Sequence, residues 1–273
     1  MTERVKPLYQ RIAATLAWCI SLGHDFMTIA PRTTLTVQVA HLCAQVLLIL
    51  TFFLPIKIVV LLGSDTVPAY LPPWLQGVQK NALIVGLSVL TVLLYALHLG
   101  AGIVVNRYAR AGARALINQG ENASVLAAQL PLATRVFSRF TRGLSDASFA
   151  LMAFTGLLCL YPSLMLVCLV YFALATAALM ALHSRHPRIR SILACHPLAV
   201  CDAFYSTGFL ATFAFMILDF LYLIPPPLYV ALISLIVLRQ SLNRLKSMSQ
   251  DILFLSSHAR HITSMRPAAK RCP

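Results

Sequence analysis

VQVAHLCAQVLLILTFFLPIKIVVLL, from Val37 to Leu62, is an almost uninterrupted apolar run whose only charged residue is Lys57. A helix needs roughly 20 mostly apolar residues to cross the hydrocarbon core of a bilayer, so this run predicts a membrane span. Five further runs follow along the chain: Asn81–Val105, Phe149–Tyr161 extended by Gly143–Ser148, Leu164–Leu182, Phe204–Ile224, and Leu228–Leu238 continued through Arg239 and Leu242. The sequence therefore predicts an all-α polytopic membrane protein with six transmembrane helices and long cytoplasmic helical extensions.

The composition of the whole chain supports this interpretation. Hydrophobic residues make up 59% of the 273 residues and charged residues 11%, against about 25% charged residues in an average soluble protein. So few charges cannot coat a soluble globule, which argues against a soluble α/β enzyme. The composition also argues against a disordered basic chain, because disorder requires low hydrophobicity.

The distribution of cations predicts the orientation of the spans. The formal net charge is +14, and of the 22 Lys and Arg only Lys57 and Lys80 fall outside the segments before span one, between spans two and three, between spans four and five, and after span six. The positive-inside rule therefore puts both termini in the cytoplasm of a multi-pass protein of the cell inner membrane. Topology and anionic lipid account for the net charge, and no nucleic-acid partner is predicted.

The chain divides into three segments on this basis. Residues 1–36 form a cytoplasmic N-terminal segment in which Arg11–Met27 is an interfacial helix, residues 37–245 form the six-helix transmembrane domain, and residues 246–273 form a basic cytoplasmic tail. An interfacial helix carries an apolar face that lies in the headgroup region of one leaflet.

The connection between spans two and three, Asn106–Arg142, is predicted to be helical. Span two continues to Ile117 and stops at Gly120. A short helix covers Val125–Gln129, and Pro131 opens another helix that leads into span three. Spans two and three therefore extend as a helical hairpin into the cytoplasm.

Three side chains inside the spans are candidates for lining a substrate cavity. Lys57 and Asp219 are ionisable groups in the outer half of the membrane, where an ion pair is one interpretation and separate contacts with the interface and with a helix partner are the other. His98 lies at the inner end of span two, at a depth similar to His41 and Cys43. Separate interhelical hydrogen bonds are favoured there over a metal site, and no metal is predicted.

Five arginines of the inner hairpin are candidates for contact with a partner. Arg107, Arg110 and Arg114 follow one another at helical spacing on one face, and Arg135 and Arg139 lie in the returning helix. A solvated helix face beside anionic headgroups is the alternative interpretation. Paired carboxylates and a Ser/His/Asp order are not evident, so an enzyme is the least favoured class and no cofactor is predicted.

Glycines in two of the spans suggest close helix packing. Gly100 and Gly102 lie in span two and Gly156 lies in span three. A residue without a Cβ lets the backbones of neighbouring membrane helices approach each other closely.

An interfacial N-terminal helix, six spans, both termini inside, short outer turns and long inner extensions together resemble the membrane domain of ABC exporters, over roughly Pro7–His261. The runs Leu54-Pro55, Leu144-Ser145-Asp146 and Arg239-Gln240 are similar to that family as well. The resemblance implies a homodimer with a substrate cavity at its two-fold axis, and an inner hairpin, Asn106–Arg142, in contact with an ATPase.

Two departures from that family bear on function. The sequence has no Gly-x-x-x-x-Gly-Lys phosphate loop, and the inner connection between spans four and five is short. The chain is therefore expected to be a membrane subunit of an exporter-like transporter that works with a separate ATPase or with none. The alternative is a membrane scaffold or accessory subunit of a larger complex that does not transport.

Overall fold

The computed structural model describes residues 8–63, 79–117, 123–222 and 226–258, and within these ranges the chain is helical and has no strands. The helices are α1 (Leu8–Ile29), α2 (Pro31–Gly63), α3 (Lys80–Ile117), α4 (Ala123–Leu160), α5 (Pro162–Arg185), α6 (Pro187–Cys195), α7 (Pro197–Tyr222) and α8 (Leu228–Ser257). The all-α fold class is thus confirmed. The predicted tail beyond His258 lies outside the described residues.

Prolines set four of the helix boundaries. In each case one residue separates two helices and the next residue is a proline that begins the second helix: Ala30-Pro31, Tyr161-Pro162, His186-Pro187 and His196-Pro197. A proline disfavours helical backbone angles in the residue before it, and its missing N–H is not needed in the first turn of a helix. The local sequence therefore explains why one helix ends and the next begins at these four positions.

Five helices are long and apolar enough to cross a membrane: α2, α3 over Lys80–Ala115, α4 over Leu130–Leu160, α5 and α7. Their large apolar side chains are widely exposed, among them Val92 at 70% and Leu174 at 66%. Exposure of so much apolar surface is unfavourable in water, whereas contact of the same surface with lipid is not. The chain is a multi-pass membrane protein.

The sixth predicted span falls on α8, which is not among those five helices. It is a continuous helix of 30 residues. Its apolar run ends at Leu238 and is followed by Arg239 and Arg244. Helicity of this segment is confirmed, and its crossing of the membrane stays a prediction.

The two helices of the predicted hairpin are longer than a bilayer is thick. α3 and α4 have 38 residues each, which corresponds to about 57 Å at 1.5 Å per residue, against a hydrocarbon core of about 30 Å. Both must therefore project beyond the hydrocarbon if they cross it.

The predicted helix break before Pro131 is wrong, because α4 continues through this proline from Ala123. Proline removes one backbone N–H from the helix and leaves one carbonyl without its usual donor. Val136 and Phe137, one to two turns further on, are 4% and 0% exposed in an apolar core. Packing of this face offsets the lost hydrogen bond and keeps the helix continuous.

The first apolar core joins α1 to the middle of the bundle. Leu22 and Phe26 of α1 are buried, and the ring of Phe26 lies 5.4 Å from that of Phe137 and 5.1 Å from that of Phe140. α1 is a helix as predicted, and its C-terminal half belongs to the bundle. Its N-terminal half is more open, with Leu16 45% exposed, so an interfacial position for that half stays a prediction.

The second apolar core lies at the other end of α4, around Leu157 and Tyr161. Here α4 and α5 pack against Leu238 and Leu242 of α8. α8 runs antiparallel to α4, because Arg139 pairs with Asp251, whereas Asp146, later in α4, lies beside Arg244, earlier in α8. Between the two apolar cores, polar and charged side chains fill the α4–α8 interface.

The glycines that permit close packing differ from the predicted ones. A Cβ added at Gly100, Gly102 or Gly156 would meet nothing within 4 Å. A Cβ at Gly112 would come within 2.5 Å of the ring of Phe137, and one at Gly208 within 2.9 Å of Tyr171. The expectation for the first three is therefore wrong within this chain, because they lie on the outer surfaces of α3 and α4.

Candidate functional site

Buried polar side chains gather where α2, α4 and α8 meet, inside the apolar span of α4. Gln45 of α2 is 4% exposed, Ser145 and Asp146 of α4 are 0% exposed, and Asp251 of α8 is 1% exposed. Groups of this kind are costly to remove from water unless they are paired or hydrogen-bonded. We call the set formed by Gln45, Asp146, Arg244, Asp251 and their contacts the polar cluster.

Asp251 is the most fully paired member of the polar cluster. Arg142 donates to its carboxylate through Nε at 2.9 Å and through Nη2 at 2.6 Å, and Arg139 donates through Nη1 at 3.0 Å. The guanidinium of Arg139 also lies 4.2 Å from the centre of the Phe254 ring. Two-pronged guanidinium–carboxylate pairs are among the strongest contacts that charged side chains form, so Asp251 holds α8 firmly to α4.

Asp146 lies further along the same interface and is paired differently. Gln45 donates through Nε2 to Oδ1 of Asp146 at 2.5 Å. The Nη1 atom of Arg244 lies 3.8 Å from the same oxygen, beyond hydrogen-bond distance, and the side chain of Ser247 also hydrogen-bonds to this carboxyl group. Oδ2 of Asp146 and Oε1 of Gln45 are buried and have no hydrogen-bond partner among the described residues.

Two histidines flank the polar cluster on α2 and α3. His41 lies one helical turn before Gln45, and its Nε2 atom is buried without a described partner. His98 of α3 donates from Nδ1 to the backbone carbonyl of Ala44 at 2.9 Å. The favoured interpretation of His98 as a source of an interhelical hydrogen bond is confirmed, and its lining of a substrate cavity stays a prediction.

Lys57 and Asp219, the other two predicted cavity residues, do not pair with each other. Asp219 of α7 is 4% exposed, and its carboxylate accepts a short hydrogen bond from the hydroxyl of Tyr161, which is 3% exposed. Lys57 lies on an exposed face of α2. The Tyr161–Asp219 contact ties the turn between α4 and α5 to α7, which is the helix-partner alternative for Asp219.

The predicted partner-contact arginines separate into two groups. Arg107, Arg110 and Arg114 of α3 and Arg135 of α4 are exposed, and none forms an ion pair with a described residue. Arg139 is instead held by Asp251 within the polar cluster. The surface available to a partner is therefore the cationic face of α3 together with Arg135.

Other reactive groups are not assembled into a second site in the described ranges. No three His, Cys, Asp or Glu side chains there lie together in a way that could hold a metal ion. Burial raises the pKa of the Cys19 thiol in α1, which keeps it protonated and a weak nucleophile.

Sequence reasoning missed Gln45, Arg142, Arg244 and Asp251, and used Asp146 only as part of a family pattern. A signal for them was present. Arg139, Arg142 and Asp146 recur every three or four residues in α4, as Arg244, Ser247 and Asp251 do in α8. Two helical stripes with complementary charges indicate helices that pack through those stripes.

Comparison of the chain with protein-family models, curated proteins and solved structures finds no match. Function is therefore inferred from the geometry of the helices and of the polar cluster.

Proposed function

We propose that the chain is a membrane-embedded subunit of an exporter-like transporter, with six spans and both termini in the cytoplasm, which works with a separate ATPase or with none. The observation that carries the proposal is the polar cluster itself. Ionisable groups inside membrane spans are rare, pair with one another, and mark substrate or ion pathways. Asp146 lies within such a span and is fully buried.

The course of α8 supports the sixth span. Its Ala231, Leu238 and Leu242 share an apolar core with Leu157 and Tyr161, and its Asp251 pairs with Arg139. Antiparallel packing of α8 on α4 over this length supports a crossing of α8 beside that of α4. Six crossings return the chain to its starting side, in agreement with the cation distribution.

A topology measurement tests the number of spans. Alkaline phosphatase is active only outside the cytoplasm, so we fuse it after Pro273 in one protein and within Asn118–Asn122 in another. Six spans predict that both fusions are inactive. Activity of the first fusion alone would leave five spans.

The long hairpin supports an interaction on the cytoplasmic side. α3 and α4 each exceed the hydrocarbon thickness by about 27 Å, and the exposed arginines of α3 lie in that projecting part if the positive-inside rule holds. In the resemblance to ABC exporters this hairpin is the contact with an ATPase, and two copies of the chain enclose the substrate cavity.

One observation favours the second candidate, a scaffold or accessory subunit that does not transport. α5 and α7 have only 24 and 26 residues and are joined by the nine-residue α6. Helices of that length extend little beyond a bilayer, so the second inner connection offers a partner ATPase much less contact than the hairpin does.

Purification from the native host in mild detergent, followed by mass spectrometry, distinguishes the candidates. The ATP-driven transporter predicts a stoichiometric ATPase that is lost from Arg110→Glu and retained by Arg185→Glu, a matched reversal of an exposed arginine on α5. A stable assembly with other membrane proteins and no ATPase would support the scaffold instead.

A further inference from the structure

Two oxygen atoms of the polar cluster, Oδ2 of Asp146 and Oε1 of Gln45, are buried acceptors with no hydrogen-bond partner among the described residues. They belong to side chains that already touch through their other atoms, since Gln45 Nε2 donates to Asp146 Oδ1 at 2.5 Å. A buried acceptor without a donor is destabilising. One hydrogen atom shared between the two side chains would satisfy both acceptors.

We propose that Asp146 is a proton-binding site, and that its protonated carboxyl group donates from Oδ2 to Oε1 of Gln45. The amide and the carboxylic acid then form a closed pair with one hydrogen bond in each direction. A single proton satisfies both unpartnered atoms and leaves the existing bond from Gln45 in place.

The charged groups that face Asp146 are compatible with a neutral carboxyl group. Arg142, on its own helix, is committed to Asp251 by two hydrogen bonds. Arg244, on α8, stands 3.8 Å away and donates no hydrogen bond to Asp146. His41, on α2, lies one helical turn before Gln45, and its Nε2 atom has no described partner.

The site has a route for the proton. Arg142 lies one helical turn from Asp146, and its side chain is 40% exposed, as Arg139 is at 38%. Water or headgroups therefore reach to within one turn of the carboxyl group. Binding transfers a proton from hydronium to Oδ2 and leaves water, and release reverses this step without a further reactant.

The inference deepens the proposed function, because it names the proton as the ion that a transporter of this design exchanges. A carboxyl group that is neutral in one state and charged in another changes how strongly α8 is held to α2 and α4. Such a difference between two states is what couples ion binding to a conformational change.

Infrared spectroscopy of the purified full-length chain, labelled with ¹³C on the aspartate carboxyl carbon, tests the site. At neutral pH we expect a C=O stretching band of a protonated aspartic acid. The band should vanish in Asp146→Asn and persist in Asp202→Asn, which removes an exposed carboxylate paired with Lys246 at 2.7 Å. Absence of the band from the unsubstituted protein, or its persistence in Asp146→Asn, would overturn the proposal.

A second variant keeps the test valid if Asp146→Asn does not fold. Gln45→Leu retains the carboxyl group and removes both of its bonds to the amide, so the band should move to higher frequency. An unmoved band would show that the proton lies elsewhere. Neither result depends on whether an ATPase co-purifies, so failure of the proton site and failure of the proposed function remain distinguishable.

Discussion

Asp251 and Asp146 lie in one interface between the same two helices, and both are almost wholly buried, yet their surroundings differ. Asp251 receives three hydrogen bonds from two guanidinium groups. Asp146 accepts hydrogen bonds from the neutral side chains of Gln45 and Ser247, lies 3.8 Å from Arg244, and has an oxygen without a described partner. One carboxylate is compensated as an anion, and the other is not.

This difference indicates that a buried carboxyl group can have either of two roles in a membrane protein. A buried anion that is matched by cations fixes the position of two helices, because removing either partner leaves a charge uncompensated. A buried carboxyl group that lacks such compensation can exist as the neutral acid and can respond to protons. We therefore interpret Asp251 as a structural ion-pair residue that holds α4 to α8, and Asp146 as a proton-binding residue.

The largest effect on the unfolding free energy is expected from removing the carboxylate of Asp251. Asp251→Ala leaves Arg139 and Arg142 facing each other in a partly buried interface, at a cost of about 3 kcal/mol. The unfolding free energy, measured by titration with SDS in mixed micelles, should fall by this amount. Asp202→Ala is the control, since Asp202 is 57% exposed. An equal loss of unfolding free energy in both variants would show that Asp251 does not hold α8 to α4.

A slightly smaller loss of unfolding free energy is expected from replacing Arg142, which donates two hydrogen bonds to Asp251. Arg142→Gln removes two of the three hydrogen bonds and leaves only Arg139, and we expect a loss of about 2.5 kcal/mol. Arg244→Gln, on the Asp146 side of the interface, should cost less than about 1 kcal/mol. The same mixed-micelle titration compares the two, and the reverse order would contradict the distinction between the two carboxyl groups.

A third buried carboxylate sharpens the comparison at the far end of α4. Tyr161→Phe deletes the hydroxyl that donates to Asp219 and leaves that carboxylate without its donor. A hydrogen bond to a charged group contributes about 2 kcal/mol, so the midpoint temperature of thermal unfolding should fall in this variant. Tyr171→Phe is a control, because its hydroxyl contacts Thr207 at an exposed position. Equal shifts in the two variants would mean that burial of the Tyr161 contact adds nothing.

The smallest effect is expected from the exposed ion pair between α7 and α8. Lys246 and Asp202 approach to 2.7 Å, and their side chains are 30% and 57% exposed. Lys246→Met should change the unfolding free energy by about 0.5 kcal/mol, and that change should shrink further as salt is added. A large change in unfolding free energy that does not depend on salt would contradict the expectation that ion pairs stabilise this protein strongly only where they are buried.

The sequence predicted the helices well, because their signals are local. Val37–Leu62 lies within α2 and Asn81–Val105 within α3, and apolar length alone identifies them. The residue before each of four prolines marks a helix boundary by backbone sterics. Pro131 shows the limit of such rules, since packing of Val136 and Phe137 overrides it.

The polar cluster could not be predicted in the same way, because its contacts join distant parts of the chain. Gln45 and Asp146 are 101 residues apart, and their meeting depends on the rotation of two helices about their axes. The same rotation decides which glycine faces a neighbour. Gly112 lies against Phe137, whereas Gly100, three turns earlier on α3, lies against nothing. Sequence patterns give the faces of each helix, and only the assembled structure gives their register.

The most direct test of the account compares Asp146→Asn with Asp251→Asn in one experiment. Asparagine carries an N–H donor where we place the proton on Asp146, so it can form the closed pair with Gln45. Asp146→Asn should therefore stay within about 1 kcal/mol of the unsubstituted protein. Asp251→Asn replaces the only anion between two guanidinium groups and should lose about 2–3 kcal/mol. Equal losses at the two positions would contradict the account, because Asp146 would then be held as a carboxylate by Arg244.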